Sequence, residues 1–366
     1  MSPERPSDEH LARLDRLLAT EGLEAVWFGR SNNFAWVTGG DNTVDRATEP
    51  GSAAVGYDGT DLTVVTTNIE GERLAAEQLA DEVTVETYPW HETTLADAVA
   101  DASATPAAAD FPVPGFETVD AARVRQPLTD ADVEAYRSLG ATVGSAVAAV
   151  CRNLSQTTTE REAAARLRGR LAEHGVDTPV VLVGGDRRAQ AYRHPVPTDE
   201  RVGDYAIVSV TARRAGLYAS CTRTVAFEPP AWLQNHHEAA ARVEVSALAA
   251  TQRVGIDGGT AGDVFDAIQE AYAAVGHDGE WKHHHQGGAA GYAGREWIAE
   301  PGHDADVRLP MAYAWNPTVS GAKSEDTIHV TTSGFETLTT SDDWPTRAAS
   351  AVDDSTTVAR PAILVQ

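Results

Sequence analysis

Histidines form the most conspicuous chemical cluster in this sequence. His283, His284 and His285 are consecutive and internal to the chain. Imidazole binds metals and acts as a general acid or base near neutral pH. If the run lies in a strand, alternate residues face opposite sides, so His283 and His285 share a face and three consecutive side chains cannot all reach one ion. We expect His285 to face the functional site.

Two further segments could do chemistry. His194 precedes Pro195, and Cys221 lies in Ser220-Cys221-Thr222. A Cys221 thiolate with His194 as its base would be a nucleophile. A buried cysteine that acts as a small hydrophobe is the reading we favour, and a histidine before proline is often only a surface or capping residue.

Composition limits the class of protein. The 366 residues carry a formal net charge of -25, and lysine occurs only at Lys282 and Lys323. Such a surface repels nucleic acid and anionic membranes, and it resembles the surfaces of proteins from salt-accumulating halophiles. An ordinary acidic cytosolic protein is the alternative. Two cysteines, a polar N-terminus and the lack of a long apolar run predict a cytoplasmic protein.

Strand-like and helix-like segments alternate in the first third, which predicts an α/β domain. Gln126-Pro127 then supplies a breaker, and Thr129-Asp130 supplies a helix cap that Glu134 reinforces in the first turn. Long helices, a hairpin of β-branched residues and a Gly-rich strand region follow. We place the domains at 1–128 and 129–366.

Several segments, in order, resemble the pita-bread family of methionine aminopeptidase, Xaa-Pro aminopeptidase, prolidase and creatinase. They are Arg13–Leu23, Ser31–Gly39, Arg125–Arg137, Gly203–Thr224 and Met311–Thr327. The resemblance implies an α/β N-terminal domain followed by an α+β pita-bread domain, a hydrolase activity and a homodimer.

The resemblance also implies where metal ligands should lie. Metal-dependent relatives carry two Asp on the hairpin, a His in a Gly-rich turn, a Glu before Pro and a Glu before Asp-Thr. The matching positions hold Ser209, Ser220, His285, Asn316 and Glu325. Three of the four carboxylates are therefore absent, and paired divalent ions need such carboxylates to offset their charge. We predict no dinuclear metal, with a single ion on His285 and Glu325 as the alternative.

Creatinase keeps this fold and hydrolyses a C–N bond without metal, so the resemblance implies roles for other residues. His194 matches the catalytic histidine, and Glu325 would orient it or a water. Arg295-Glu296 resembles a pair that binds the substrate carboxylate. Thr222 departs from the Glu that creatinase has there, which makes creatine itself a poor candidate. Two alternatives stay open. Arg295-Glu296 could be a surface ion pair, and Glu325-Asp326 could be a turn with solvated charges.

These observations lead to one hypothesis with two rivals. The leading hypothesis is a metal-independent, creatinase-like hydrolase of a small amide, amidine or ureido compound that bears a carboxylate. His194, Glu325 and His285 would be catalytic, and Arg295, Ser209, Ser220 and Asn316 would bind substrate, although the two serines could equally fill an emptied metal site. The rivals are a residual Xaa-Pro metallopeptidase acting on short peptides and a catalytically inactive pita-bread binding protein.

Overall fold

The structure is a computed structural model that describes residues 7–366. These residues fall into two compact units, 7–126 and 127–366. The sequence-based boundary at residue 128 lies two residues from this division. Within the described residues, no helix is both long and apolar enough to cross a membrane.

The first unit is built around a mixed six-stranded sheet with the strand order β4-β3-β2-β1-β5-β6. Its core includes Trp27, Val65, Val99 and Phe111. Gly22 ends the first helix in the left-handed region at φ 68°. Its helices are α1 Asp8–Glu21, α2 Ser31–Thr38, α3 Gly71–Glu77, α4 Leu95–Ala102 and α5 Ala122–Arg125, and its strands are β1 Ala25–Phe28, β2 Ala53–Tyr57, β3 Leu62–Thr67, β4 Thr84–Tyr88, β5 Ala107–Ala109 and β6 Glu117–Thr118.

The second unit combines long helices with antiparallel sheets. Its helices are α6 Asp130–Arg152, α7 Glu160–Ala172, α8 Asp186–Ala191, α9 Leu233–Asp257 and α10 Ala261–Ala274, followed by a 3-10 turn at Glu280–His283. Its strands are β7 Asp177–Gly185, β8 Tyr205–Arg214, β9 Leu217–Ala226, β10 Gly287–Ala290, β11 Trp297–Ile298, β12 Met311–Trp315, β13 Thr318–Val319, β14 Ala322–Lys323, β15 Ile328–Val330, β16 Phe335–Thr337, β17 Thr346–Ser350, β18 Thr357–Pro361 and β19 Leu364–Val365.

Two sheets of the second unit carry the residues of interest. One has the order β19-β9-β8-β7 and the other the order β11-β10-β12-β15-β16. Helix α6 contacts β8 and β9, and α9 contacts β13 and β14. Helix α6 begins with a capping box in which Thr129 and Asp132 bond each other's backbone N–H. The expectation that Glu134 reinforces this turn was wrong, because the box needs an acceptor three residues after the cap.

Three buried ion pairs surround Asp326, which lies in the segment between β14 and β15. Arg360 donates to Glu244 at 2.6 Å and to Asp326 at 2.7 Å, and Arg223 lies 2.9 Å from the second oxygen of Asp326. All four side chains are buried. A solvated turn at Glu325-Asp326, one of the open readings, is therefore wrong. Breaking such a pair leaves an uncompensated buried charge.

We expect Arg360→Met to lower the free energy of unfolding by about 3–5 kcal/mol, because it removes the cation that two buried carboxylates share. Arg347 provides a matched control: it pairs directly across from Arg360 on the β17–β18 hairpin, and its own ion pair with Glu238 is exposed. Arg347→Met should cost less than about 1 kcal/mol. Urea unfolding at fixed KCl measures the free energy of unfolding of both variants. Equal decreases in the two variants would contradict a special role for the buried ion pairs of Arg360.

Candidate functional site

One buried carboxylate lies at the centre of the site. Glu325 follows β14 and is 4% exposed. Its Oε2 accepts hydrogen bonds from the Thr222 hydroxyl at 2.7 Å and from Lys323 Nζ at 2.9 Å. Its Oε1 accepts from Arg295 Nη2 at 3.1 Å. Both oxygens are thus committed to side chains of the protein.

These contacts set the ionisation of Glu325. Burial alone would raise its pKa, but Lys323 and then Arg295 outweigh burial and lower the pKa to about 2. The carboxylate therefore stays ionised at neutral pH. Two cations share one anion, which leaves one positive charge in excess among these three groups. The alternative in which Arg295 belongs to a surface ion pair is wrong.

Hydroxyl groups line the paired strands β8 and β9. Ser209 lies opposite Thr222, and Thr211 lies opposite Ser220. The two hydroxyl pairs are hydrogen-bonded at 2.7 Å and 2.9 Å. Ser220 also accepts from Arg295 Nη1 at 3.3 Å. The positions at which the family resemblance implies metal-binding aspartates therefore hold a neutral hydroxyl ladder.

Three imidazoles converge beside this ladder. His284 Nε2 lies 3.0 Å from His194 Nε2, and the rings of His284 and His285 stack with centroids 4.4 Å apart. One nitrogen from each of the three rings falls within 4.8 Å of the others. The expectation of a strand through the histidine run was wrong, because a 3-10 turn carries the exposed His283 and β10 begins only at Gly287.

Gly287 begins β10 directly after the histidine run and Gln286. Its φ is +95°, and a Cβ at this position would come within 2.1 Å of the Ala314 carbonyl oxygen. Only glycine fits both constraints. The turn brings His284 into the interior and leaves His285 more exposed, and both contact His194. Sequence reasoning chose His285 for the site and did not identify His284.

The local charge keeps these imidazoles neutral. Burial and then Lys323 lower the pKa of His284 to about 2. Burial, Arg295 and Lys323 lower the pKa of His285 to about 4. Burial and Lys323 also lower the pKa of His194, while Glu325 opposes them. His194 hydrogen-bonds His284 rather than Glu325, so the carboxylate acts on it through charge.

Two other sequence-predicted residues take different places. Asn316 is buried, and its Oδ1 has no hydrogen-bond partner among the described residues. Its backbone N–H donates to Gln286. Cys221 is buried between the two site-facing positions of β9, and burial raises the pKa of its thiol to about 12. A thiolate nucleophile at Cys221 is excluded on that ground.

A partly open pocket lies next to the ladder, and about 330 Å³ of non-atom space, part of it open to solvent, falls within it. Lys323 and Ser209 contribute to its polar side, and Leu182, Pro195 and Ile207 contribute to its apolar side. The remaining lining residues are Ala189, Tyr192, Arg193, Thr318, Gly321 and Ala322.

A family model of metallopeptidase family M24 matches residues 134–332, which is more than half of the chain. The chain belongs to metallopeptidase family M24. This membership confirms the pita-bread resemblance and the expectation of a hydrolase-family fold. No curated protein matches the chain by sequence.

Solved structures give the same fold for this M24 protein. The prolidase of Pyrococcus horikoshii OT3 superposes with a TM-score of 0.72 at 18% identity, covering 92% of this chain and 99% of that one. The X-Pro aminopeptidase of Thermotoga maritima MSB8 gives 0.73 at 16% identity, covering 97% and 99%. The N-terminal domain of the FACT complex subunit SPT16 from chickpea gives 0.64 at 13% identity, covering 91% and 96%. The expected fold class is confirmed.

M24 membership implies divalent metal, and the donor set here does not fit a dinuclear centre. The carboxylate of Glu325 is already paired with two protein cations, and the hydroxyls of Ser209 and Ser220 bring no charge. The neutral imidazoles of His194, His284 and His285 are the groups that could hold a single ion. These three histidines lie within ligand distance of one another, and Glu325 does not belong to that group, in contrast to the alternative of an ion on His285 and Glu325.

We expect less than about 0.1 ion per chain after the protein is incubated with Mn²⁺, Co²⁺ and Zn²⁺ in high salt and dialysed, because Glu325 is already paired with Lys323 and Arg295 and does not offset the charge of paired ions. Elemental analysis measures the content. Two tightly held ions would mean that Glu325 leaves Lys323 and Arg295 for metal. One zinc ion that disappears in His284→Asn would place it on the imidazoles.

The buried imidazole of His284 should make stability depend on pH. Its folded pKa of about 2 lies below its ordinary value of 6.5, so between these values the unfolded chain binds the extra proton. Stability is therefore full above pH 6.5 and falls as the pH decreases, by up to about 2 kcal/mol between pH 7 and 5. The charges facing this ring are those of Lys323 and Arg193, with His194 and His285 beside it.

The expected result is a flatter pH profile of unfolding free energy for His284→Asn than for the wild type. The exposed neighbour supplies the control, since His283→Asn should keep the wild-type slope. Identical slopes in all three proteins would show that His284 does not titrate abnormally.

Proposed function

We propose that this chain is a metal-independent, creatinase-like hydrolase of a C–N bond in a small amide, amidine or ureido compound that carries a carboxylate. The observation that carries the proposal is the pairing of Glu325 with Lys323 and Arg295. The positive charge that would polarise a scissile group belongs to side chains here, and the carboxylate is committed to them.

His194 is the proposed general acid and base. Its lowered pKa leaves the ring neutral near pH 7, so it can accept a proton. It takes the proton from a water that attacks the carbonyl or amidine carbon, and a C–O bond forms as the carbon becomes tetrahedral. The C–N bond then breaks, and His194 returns the proton to the departing nitrogen. His284 holds the ring from its buried side.

Lys323 and Arg295 would stabilise the negative charge that develops during this reaction. Lys323 lines the pocket and Arg295 lies behind the carboxylate, so both raise the local positive potential where a tetrahedral oxyanion would form. Glu325 fixes the two cations by accepting from each. The side chains of Ser209 and Asn316 are further proposed contacts of the substrate, since Ser209 lines the pocket and the amide oxygen of Asn316 has no partner among the described residues.

A catalytically inactive binding protein is the second candidate. It is favoured by the saturation of Glu325, because a carboxylate with both oxygens engaged cannot orient a water without giving up a bond. The two candidates differ in turnover. Tight binding of a ligand that is recovered intact would select the inactive protein.

We expect the protein to release ammonia, urea or an amine from some member of a panel of N-carbamoyl and amidino acids in high KCl, with equal rates in chelator and in Mn²⁺. His194→Gln should lower kcat by about 10²-fold or more, because the proton acceptor is removed. His283→Gln, an exposed histidine outside the cluster, should retain the wild-type kcat. Cleavage of Xaa-Pro peptides that a chelator abolishes would replace this proposal with a metallopeptidase.

A further inference from the structure

Lysine is almost unused in this chain, and its two occurrences are in opposite environments. Lys282 is exposed, with its Nζ 5.1 Å from the centroid of the Trp281 ring. Lys323 is 7% exposed. A lysine is rarely buried unless it is paired. A chain that otherwise uses arginine for its positive charges therefore places one of its two ammonium groups inside the candidate site.

The ammonium of Lys323 has donors to spare. It carries three N–H groups, and Glu325 accepts one of them at 2.9 Å. Lys323 also lines the pocket together with Ser209 and Thr318. Lys323 thus contributes to the lining of a cavity, and Glu325 is the ion-pair partner of its Nζ among the described residues.

The charges around the pocket favour an anion. Neighbouring ion pairs are internally balanced: Arg193 bonds Glu280, and Arg223 and Arg360 share Asp326 and Glu244. The imidazoles beside the pocket are neutral. Among the described residues, Lys323 and Arg295 both pair with Glu325, so these three groups together carry one positive charge in excess in a low-dielectric setting. An anionic group on the ligand would balance it.

Arg295 is less suited to receive that group directly. Its Nη1 donates to the Gly294 carbonyl at 2.6 Å and to Ser220 at 3.3 Å, and its Nη2 donates to Glu325. Its Nε has no hydrogen-bond partner among the described residues, but a fork-shaped contact through Nε and Nη2 would break the bond to Glu325. Lys323 needs no such rearrangement.

We propose that Lys323 is the specificity-determining residue of the pocket and that it binds the carboxylate of a small monoanionic substrate. The apolar side formed by Leu182, Pro195 and Ile207 then takes a short aliphatic body. This inference rests on the proposed function for the class of compound, and it transfers the role of carboxylate anchor from Arg295 to Lys323.

The first test compares two ligands of one shape and different charge, isovalerate and isovaleramide, by ligand-observed NMR titration at constant KCl. Wild-type protein should bind isovalerate more tightly than the amide. Lys323→Met should weaken isovalerate binding by about tenfold or more, as expected for loss of a charged hydrogen bond, and leave the amide unchanged. Lys282→Met is the matched control and should bind both as the wild type does. Equal isovalerate affinity in Lys323→Met and wild type overturns the inference.

A second test needs no variant, so a folding defect in Lys323→Met cannot obscure the result. Reductive methylation with formaldehyde, followed by peptide mass spectrometry, reports on Lys282 and Lys323 separately. Isovalerate should slow methylation of Lys323 by several-fold and leave Lys282 unaffected, while isovaleramide should protect neither. Equal protection of Lys323 by both compounds, or by neither, contradicts a carboxylate contact.

These readouts separate the inference from the function on which it rests. Charge-selective binding that depends on Lys323, without turnover of any C–N compound, removes the hydrolase proposal and keeps the anchor. Turnover of carboxylate-bearing compounds with unchanged KM in Lys323→Met keeps the hydrolase and removes the anchor.

Discussion

The site depends on one carboxylate shared between two cations. Glu325 is buried, and an ionised buried carboxylate persists only when it is paired and hydrogen-bonded. Lys323 and Arg295 meet that requirement, and the Thr222 hydroxyl completes it. Burial is the main cause of the lowered pKa values of His284 and His285, and Lys323 lowers both further. The excess positive charge of the pocket follows from the pairing of Glu325 with the two cations.

Hydrogen bonds of the surrounding backbone and side chains fix the segment that carries Glu325. The backbone at Glu325 accepts from the Thr222 N–H, and the Thr327 hydroxyl bonds the backbone of Ser220. The next residue, Asp326, belongs to the separate buried network with Arg223 and Arg360. Adjacent carboxylates therefore point into two ion networks, and the segment between β14 and β15 cannot shift without disturbing both. Such supporting contacts hold functional groups in place before a ligand binds.

The sequence allowed much of the fold to be predicted, because the signals are local. β-Branched residues marked the β8–β9 hairpin, and Thr129 marked the start of α6. The ladder positions Ser209 and Ser220 followed from the family resemblance. The contact partners of the site residues could not be predicted, because they depend on tertiary contacts. Nothing in the sequence places His284 against His194, or Arg295 against Glu325. The sequence showed that lysine is scarce, but only the structure showed that Lys323 is buried at the site.

The net charge at the site differs from the net charge that the family resemblance implies for metal-dependent relatives. In the metal-dependent arrangement implied by the resemblance, four carboxylates face two divalent ions, and the charges cancel. This chain has one carboxylate at the corresponding positions, with two side-chain cations against it. Removing three negative charges while keeping two ions would leave a large uncompensated charge, whereas lysine and arginine leave one. That single surplus charge is the basis on which we propose an anionic ligand. At the positions where the resemblance implies acids, Ser209, Ser220 and Asn316 are uncharged, so the pairing of Lys323 and Arg295 with Glu325 determines the local charge of the site.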